Sequence, residues 1–367
     1  MGVLWPLEPA TEAKHRLYKR YFDAWWPILL QPNGRNGRSW SKVTLLDAFA
    51  GPGRYEGNEE GSPVFTLHRL LNHSSVSRMG LRRDRVQLVF IEKQRDRYEH
   101  LLRELHGRFG PLDQLPVRVE VRQGEAGRDS ERILTELGAW NQPILGIFDS
   151  WGSVNTPLNL MRRIARNPAS EVITTFGPNW FSRRENLNPD ILDSVFGGRP
   201  FWEHAVDIKD SDEKWRAWLE IYRRGLQRAG FGFRLQFQVV PRTGQPLYLV
   251  FGTGHQKGVE VMKEAMWTVD KSDGMSFKDP RCRSGVSVGQ GSIFEIENAV
   301  DPELLSLVEQ RLLQGPASLD ALGTWLLLET SQWRLRDAGR AIRALEQDGR
   351  LVTPAGRLTK ASVVSLR

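Results

Sequence analysis

The chain has 367 residues, 40% hydrophobic and 26% charged, enough to bury a large core beside a second, smaller domain and too apolar for a disordered polymer. Lysine and arginine outnumber aspartate and glutamate by 51 to 44, a formal net charge of +7 that favours a polyanionic partner such as nucleic acid. One cysteine, Cys282, excludes an intrachain disulfide, a cysteine-built zinc site and a three-cysteine iron–sulfur motif, so no metal is expected.

In residues 11–30 (TEAKHRLYKRYFDAWWPILL), Leu17, Tyr21, Trp25 and Leu29 recur every four residues. This predicts an amphipathic helix that packs on the next domain and stops near Pro27. Strand and helix signals then alternate, with strands at 42–47, 86–91, 117–122, 143–149 and 171–176 and helices at 62–74, 93–107, 128–138 and 157–166. Strands joined by helices need crossover connections, hence a parallel sheet covered on both faces. A helix at 212–229 precedes two β-rich runs, FRLQFQVVPRTG and QPLYLVFGTG, joined at Arg242-Thr243-Gly244 as an antiparallel hairpin. Five parallel strands closed by a hairpin point to an α/β, Rossmann-like sheet of the class I S-adenosylmethionine (SAM) methyltransferase type rather than a dehydrogenase. From about residue 300 the pattern gives three helices and a small hairpin, the order of a C-terminal winged helix-turn-helix domain. The expected division is an N-terminal helix in 1–40, a methyltransferase-like domain in 41–298 and a winged helix in 299–367. No apolar run is long enough to span a bilayer, and the N-terminus lacks the basic-then-apolar layout of a secretory signal, so the cytoplasm is the expected location.

Ligands of open parallel sheets bind beyond the carboxyl ends of the strands. The first such turn, DAFAGPGRYEGNEEGSP at 47–63, combines Gly51, Gly53 and Gly57 with Asp47, Glu56, Glu59 and Glu60. Glycines let backbone approach a ligand, whereas a merely long surface loop is the plainer alternative. A pyrophosphate would avoid this acidic rim; a ligand carrying a sulfonium and an ammonium would seek it, which favours SAM over a dinucleotide. Asp47, Phe49, Ala50, Gly51 and Gly53 are the expected cofactor residues of this turn. Glu92, ending the second strand, is placed for ribose hydroxyls, and Gly124 and Glu125, after the third, for the adenine. Asp149 and Trp151, in GIFDSWG after the fourth strand, are the candidate catalytic residues: an acceptor for an exocyclic amine and a ring on which a base can stack. A core role for Trp151 and a capping role for Asp149 are the alternatives. Amine methylation needs alignment more than a base, and a C5-cytosine reaction would need a cysteine that this turn lacks.

These stretches resemble the three-Cys-motif partner proteins, SAM methyltransferase-like proteins of bacteria. The resemblance covers most of the first 270 residues through Lys14-His15, the 47–63 turn, the strand ending in Glu92, the fourth-strand motif and YLVFGTGHQKGVEVMKEAMW at 248–267. Where that family has Asp-Pro-Phe-Gly, this chain has Asp149-Ser150-Trp151-Gly152, keeping the aromatic but not the rigid proline. The resemblance implies a companion protein with a three-cysteine cluster, of radical-SAM type, and a link to nucleic-acid modification, defence or repair.

In a helix predicted over 331–348, Leu335, Ala338, Ile342 and Leu345 share one side, and Arg336, Arg340, Arg343 and Gln347 another, with Trp333 near the arginines. That layout presents arginines to a DNA groove, with Arg350 and Arg357 as phosphate contacts. The expectation is a SAM-dependent methyltransferase acting on a base amine, in DNA before RNA; the alternative is a nucleic-acid-binding partner that keeps the fold without the chemistry.

Overall fold

Four apolar runs, VTLLD, VQLVFIE, ILGIF and EVITTF, are buried along their whole length, as strands covered on both faces must be. They are β1 (Val43–Asp47), β2 (Val86–Glu92), β4 (Ile144–Phe148) and β5 (Glu171–Phe176), with β3 (Arg118–Gln123) the half-exposed edge. The computed structural model describes residues 2–32, 39–152, 156–184, 188–282, 300–354 and 356–367. The expected domain boundary at 298, Arg283 and the side chains of Arg183 and Arg184 fall outside the described residues.

The helices are α1 (Pro9–Leu30), α2 (Ser62–Leu71), α3 (Val76–Met79), α4 (Arg95–Phe109), α5 (Ala126–Glu136), α6 (Leu158–Ala165), α7 (Pro178–Arg184), α8 (Pro189–Phe196), α9 (Ser211–Ala229) and α10 (Gln256–Val269). Strands β6 (Phe233–Val240), β7 (Leu247–Thr253) and β8 (Ser276–Lys278) complete a sheet of order β3-β2-β1-β4-β5-β7-β6-β8. β1 to β5 run parallel, and β7 is antiparallel to both β5 and β6. This is the Rossmann-like sheet of class I SAM methyltransferases. β8, parallel to β6, is an addition that the sequence reading did not anticipate, as are α7 and α8. One apolar layer joins α1, α2 and α10 to one face, through residues such as Phe22, Trp26, Phe65 and Met262; the other joins α5, α6, α8 and α9, through Ile133, Ile164, Phe196 and Trp218.

Helix α1 runs through Pro27 to Leu30 instead of stopping at it. Proline lacks the N–H that would bond the carbonyl of Asp23, four residues back. His73 Nε2 supplies that bond instead at 2.9 Å, its tautomer set by the Ser75 N–H donated to Nδ1 at 3.0 Å. Trp25 and Trp26 are core residues. Of the arginines before β2, Arg85 is buried and donates to the carbonyls of Leu30 (2.7 Å), Trp40 (3.0 Å) and Gly80 (3.1 Å), while Arg83 donates to that of Leu112 (2.9 Å) and Arg82 is exposed beside Asp84.

At the amino end of β5, Glu171 is buried and accepts from Tyr21 Oη and from Thr253 Oγ1 (2.8 Å). Burial pushes its carboxyl up to about 7 despite those bonds. The unfolded chain loses this proton near pH 4.5, so between there and pH 7 the folded state holds the extra proton and stability falls as pH rises, by roughly 3 kcal/mol. Glu171→Gln is expected to flatten this slope and to gain stability at pH 8 relative to wild type, measured as urea midpoints at pH 5 and pH 8. An unchanged slope would contradict it.

The C-terminal unit runs α11 (Pro302–Leu312), β9 (Ala317–Ser318), α12 (Leu319–Glu329), α13 (Asp337–Gln347), β10 (Leu351–Val352) and β11 (Val363–Leu366), with sheet order β10-β11-β9. The predicted helix over 331–348 therefore begins only at Asp337. The Asp337 carboxylate takes the Arg334 backbone N–H (2.8 Å) and its guanidinium (2.9 Å), fixing a turn before the helix. Trp333 is buried in that unit's core rather than beside the arginines. Lys263 of α10 docks the unit: its buried ammonium donates to the carbonyls of Leu327 (2.7 Å), Thr330 (2.7 Å) and Trp333 (2.9 Å), while Trp267 donates to Gln332 O (2.8 Å) under the Arg334 guanidinium. Among the described residues no helix is long and apolar enough to cross a membrane.

Candidate functional site

The order of the sheet reverses between β1 and β4, which opens a crevice at their carboxyl ends where Asp47 and Asp149 stand. Asp47 is buried; Oδ1 accepts from Phe49 N (3.1 Å) and Oδ2 from Ser62 Oγ (2.6 Å) at the start of α2. Burial drives its carboxyl up to about 6 against those two bonds, and the charges of Asp149 and Glu92 push the same way.

Left-handed backbone at Gly51 (φ 64°) and Gly53 (φ 90°) folds the turn back on itself. Gly51 N donates to Glu92 Oε2 (3.0 Å), Gln94 N to Glu92 Oε1 (2.8 Å), and Gly61 N to Gly53 O (2.8 Å). A Cβ on Gly61 would lie 2.7 Å from the carbonyl carbon of Gly53, so only glycine lets the two backbones meet. Gly61→Ala is expected to open the turn, costing roughly 1–3 kcal/mol of stability. It should also weaken ligand binding at least about tenfold, read by calorimetry; wild-type affinity in a folded variant would refute this.

The acids of the turn divide in two. Glu56 and Glu59 are exposed and Glu60 pairs with His68 (2.9 Å), so the predicted anionic rim faces solvent. Behind the rim, Asp47 and Glu92 are buried and Asp149 is partly buried.

Asp149 is saturated. Oδ1 accepts from Lys14 Nζ (2.6 Å) and Thr175 Oγ1 (2.6 Å), and Oδ2 from Lys14 Nζ (2.7 Å) and Tyr18 Oη (3.0 Å), which uses the lone pairs a carboxylate has. Burial alone would raise this carboxyl; the Lys14 ammonium and the Thr175 and Tyr18 bonds override it and hold it below the usual carboxylate range. An incoming amine could use Asp149 only by displacing one of these partners. Trp151 is 49% exposed, with Lys14 Nζ 4.7 Å from its ring centroid, so the core alternative for it does not apply. Its left-handed φ of 56° is strained for so large a side chain, as occurs at ligand sites.

Segment 2–8 covers the turn. The ring of Trp5 lies 3.8 Å from where a Gly51 Cβ would be, Glu56 N donates to Trp5 O (3.1 Å), and the Arg97 guanidinium sits 4.7 Å from the ring. Thr11, Lys14, His15 and Tyr18 bring the first turns of α1 to the same cleft, together with Phe49, Ala50, Gly51, Gly53 and Trp151. His15 is buried beside Tyr55, and burial, with Lys14 next to it, draws its pKa down to about 3, so it is neutral. The cavity as it stands is about 60 Å³, room for a few waters, so a nucleoside needs its walls to move.

Glu92 lies behind Gly51. Gly124 and Glu125 stand off the cleft lining, at the next strand: Gly124 N donates to Glu92 O (3.0 Å), and Glu125 pairs with Lys93 (2.9 Å). Asn179, in the first turn of α7, donates to Gln245 Oε1 (2.6 Å). Sequence reasoning missed Trp5, Thr11, Tyr18, Thr175 and the ion pair of Lys14. One signal was there: Lys14 falls on the apolar stripe of α1, one turn before Leu17 and Tyr18.

Of the expected reader arginines, Arg336 precedes α13 and pairs with Glu264 of α10 (2.8 Å), Arg340 is 3.5 Å from Asp337, and Arg350 pairs with Glu309. Arg343 and Arg357 are exposed.

The site lies at the switch point of a Rossmann-like sheet of the class I methyltransferase order. Among solved structures the chain is similar to a complex of Trm1 from Pyrococcus horikoshii with S-adenosyl-L-methionine, at 12% identity over 97% of this chain and 91% of that one, TM-score 0.37. It is also similar to P. horikoshii TYW2 in complex with MeSAdo (12% identity, 68% and 66% covered, TM-score 0.31) and to a putative rRNA-methylase from Clostridium thermocellum (11%, 58% and 88%, 0.30). Likenesses this remote bear on neither ligand nor substrate. No protein-family model and no curated protein matches the chain, so the three-Cys-motif resemblance rests on its motifs alone.

Proposed function

We propose that the chain is a SAM-dependent methyltransferase whose target is an exocyclic amine of a nucleic-acid base. The observation that carries this reading is the set of three carboxylates, Asp47 and Glu92 buried and Asp149 16% exposed, around a glycine turn with one buried ammonium, Lys14, among them. Such a site suits a ligand with a sulfonium, an ammonium and a ribose. Asp47 would hold the donor's ammonium, Glu92 the ribose hydroxyls, and the backbone of Phe49 to Gly53 the chain between them; Gly124 and Glu125 border the adenine side. When bound, SAM supplies an electrophilic methyl group. The chain contributes alignment: Trp151 offers an exposed face on which a flipped base can stack at the mouth of the cleft. The C-terminal unit is read as a winged helix from its helix-strand-helix-helix-strand-strand order, with Arg336, Arg343, Arg350 and Arg357 as exposed cations toward DNA.

A second reading is favoured by the saturation of Asp149: a nucleic-acid-binding partner that keeps SAM and the fold while a three-cysteine companion performs the chemistry. The two are separated by transfer of labelled methyl from SAM to DNA and RNA pools. Label incorporated into a base amine and lost in Trp151→Ala supports the enzyme. Nucleic-acid binding with no transfer to any pool supports the partner.

A further inference from the structure

The cleft contains a place for an anion, formed by side chains that the cofactor reading has not used. The ammonium of Lys14 has three N–H groups, and Asp149 takes two of them at 2.6 and 2.7 Å. One turn earlier on the same helix, Thr11 Oγ1 is buried, lines the cleft and has no hydrogen-bond partner among the described residues. Buried hydroxyls are rarely left so, and a ligand oxygen would satisfy this one. The first turns of α1 line the same wall, bringing the positive end of a 22-residue helix to it. His15, next to Lys14 in the chain, is neutral and adds no charge.

We propose that Lys14 and Thr11 form the subsite for the carboxylate at the amino-acid end of SAM. This rests on the cofactor reading above and deepens it. Asp149 then acts as a positioning residue: with Tyr18 and Thr175 it fixes the Lys14 ammonium so that the remaining N–H points to the ligand, and it does not receive the target amine. The cleft thereby matches a zwitterionic tail, with Asp47 on the ammonium and Lys14 with Thr11 on the carboxylate.

The test compares SAM with decarboxylated SAM, by calorimetry on the full chain. Losing the carboxylate raises the ligand's net positive charge, which an acidic cleft with no carboxylate reader would favour, so the two cases predict opposite preferences. Wild type is expected to bind SAM about tenfold or more tightly than the decarboxylated compound. Lys14→Met/Asp149→Asn removes both charges together, so no buried charge is left unpaired, and is expected to lose the preference for SAM and to bind the decarboxylated compound at least as tightly, since Asp47 and Glu92 remain. Thr11→Val should reduce the preference severalfold. Equal binding by wild type, or a double variant that keeps the full preference, overturns the subsite. Wild type binding neither compound overturns the cofactor reading and the subsite with it.

Discussion

Lys14→Met alone is expected to cost roughly 3–5 kcal/mol of stability at neutral pH, the penalty for stripping a buried carboxylate of its counter-ion. Among the described residues Asp149 has no second cation in contact; Tyr18 and Thr175 supply only hydroxyls. The sign with pH is fixed. In wild type the folded Asp149 carboxyl is held below its unfolded value, so its contribution is present above about pH 4 and is lost as pH falls through the folded value. In the variant, burial acts unopposed by the ammonium, so the penalty is largest near neutrality and shrinks as acid protonates the carboxyl. Asp149→Asn in the same chain should recover most of the loss. Urea denaturation of wild type, single and double variants at pH 4.5 and 7.5 checks it. A single variant within about 1 kcal/mol of wild type at pH 7.5 would mean that the pair is a solvated contact of little value.

Lys263→Met is expected to detach the C-terminal unit from α10. The side chains are similar in length, so packing changes little, but the carbonyls of Leu327, Thr330 and Trp333 lose their donor beneath the surface. Each buried acceptor left unsatisfied costs about 1–3 kcal/mol, and these lie at and just beyond the carboxyl end of α12, where the helix dipole adds to the attraction for a cation. We expect the unit to melt as a separate, earlier transition and the amides of residues 326–336 to exchange much faster with deuterium, while those of β1 and β4 keep their protection. A single cooperative transition at the wild-type temperature would show that apolar contacts alone hold the interface.

That docking also bears on how the C-terminal unit could meet DNA. Arg336 and Arg350 are exposed but paired with Glu264 and Glu309, so using them on phosphate would mean exchanging surface ion pairs of little value, whereas the row read from the periodicity is broken at its start, because Arg336 precedes α13.

Much of the sheet was legible because its central strands are continuous apolar runs bounded by polar turns, and β5 was located at its observed bounds. The start of α13 was not, since Trp333 and Leu335 continue the helical spacing and only the Asp337–Arg334 contact breaks it. Pro27 misled for a comparable reason: its missing N–H is replaced by His73, distant in sequence. In the site, the acids at the ends of β1, β2 and β4 could be placed by strand logic, as each follows its own strand. Their partners could not. Lys14 lies 135 residues from Asp149 and is joined to it only by the crossing of α1 over the tips of the sheet, and Thr175, 26 residues away, only by the register of β5 against β4.

The central claim is that the crevice between Asp47 and Asp149 receives SAM. A crystal structure grown in saturating SAM tests it most directly. The account predicts the ribose on Glu92, the ammonium of SAM on Asp47 and its carboxylate on Lys14, and Trp5 moved from its place over Gly51. A cleft still closed by Trp5 and empty of ligand at saturating SAM would contradict it.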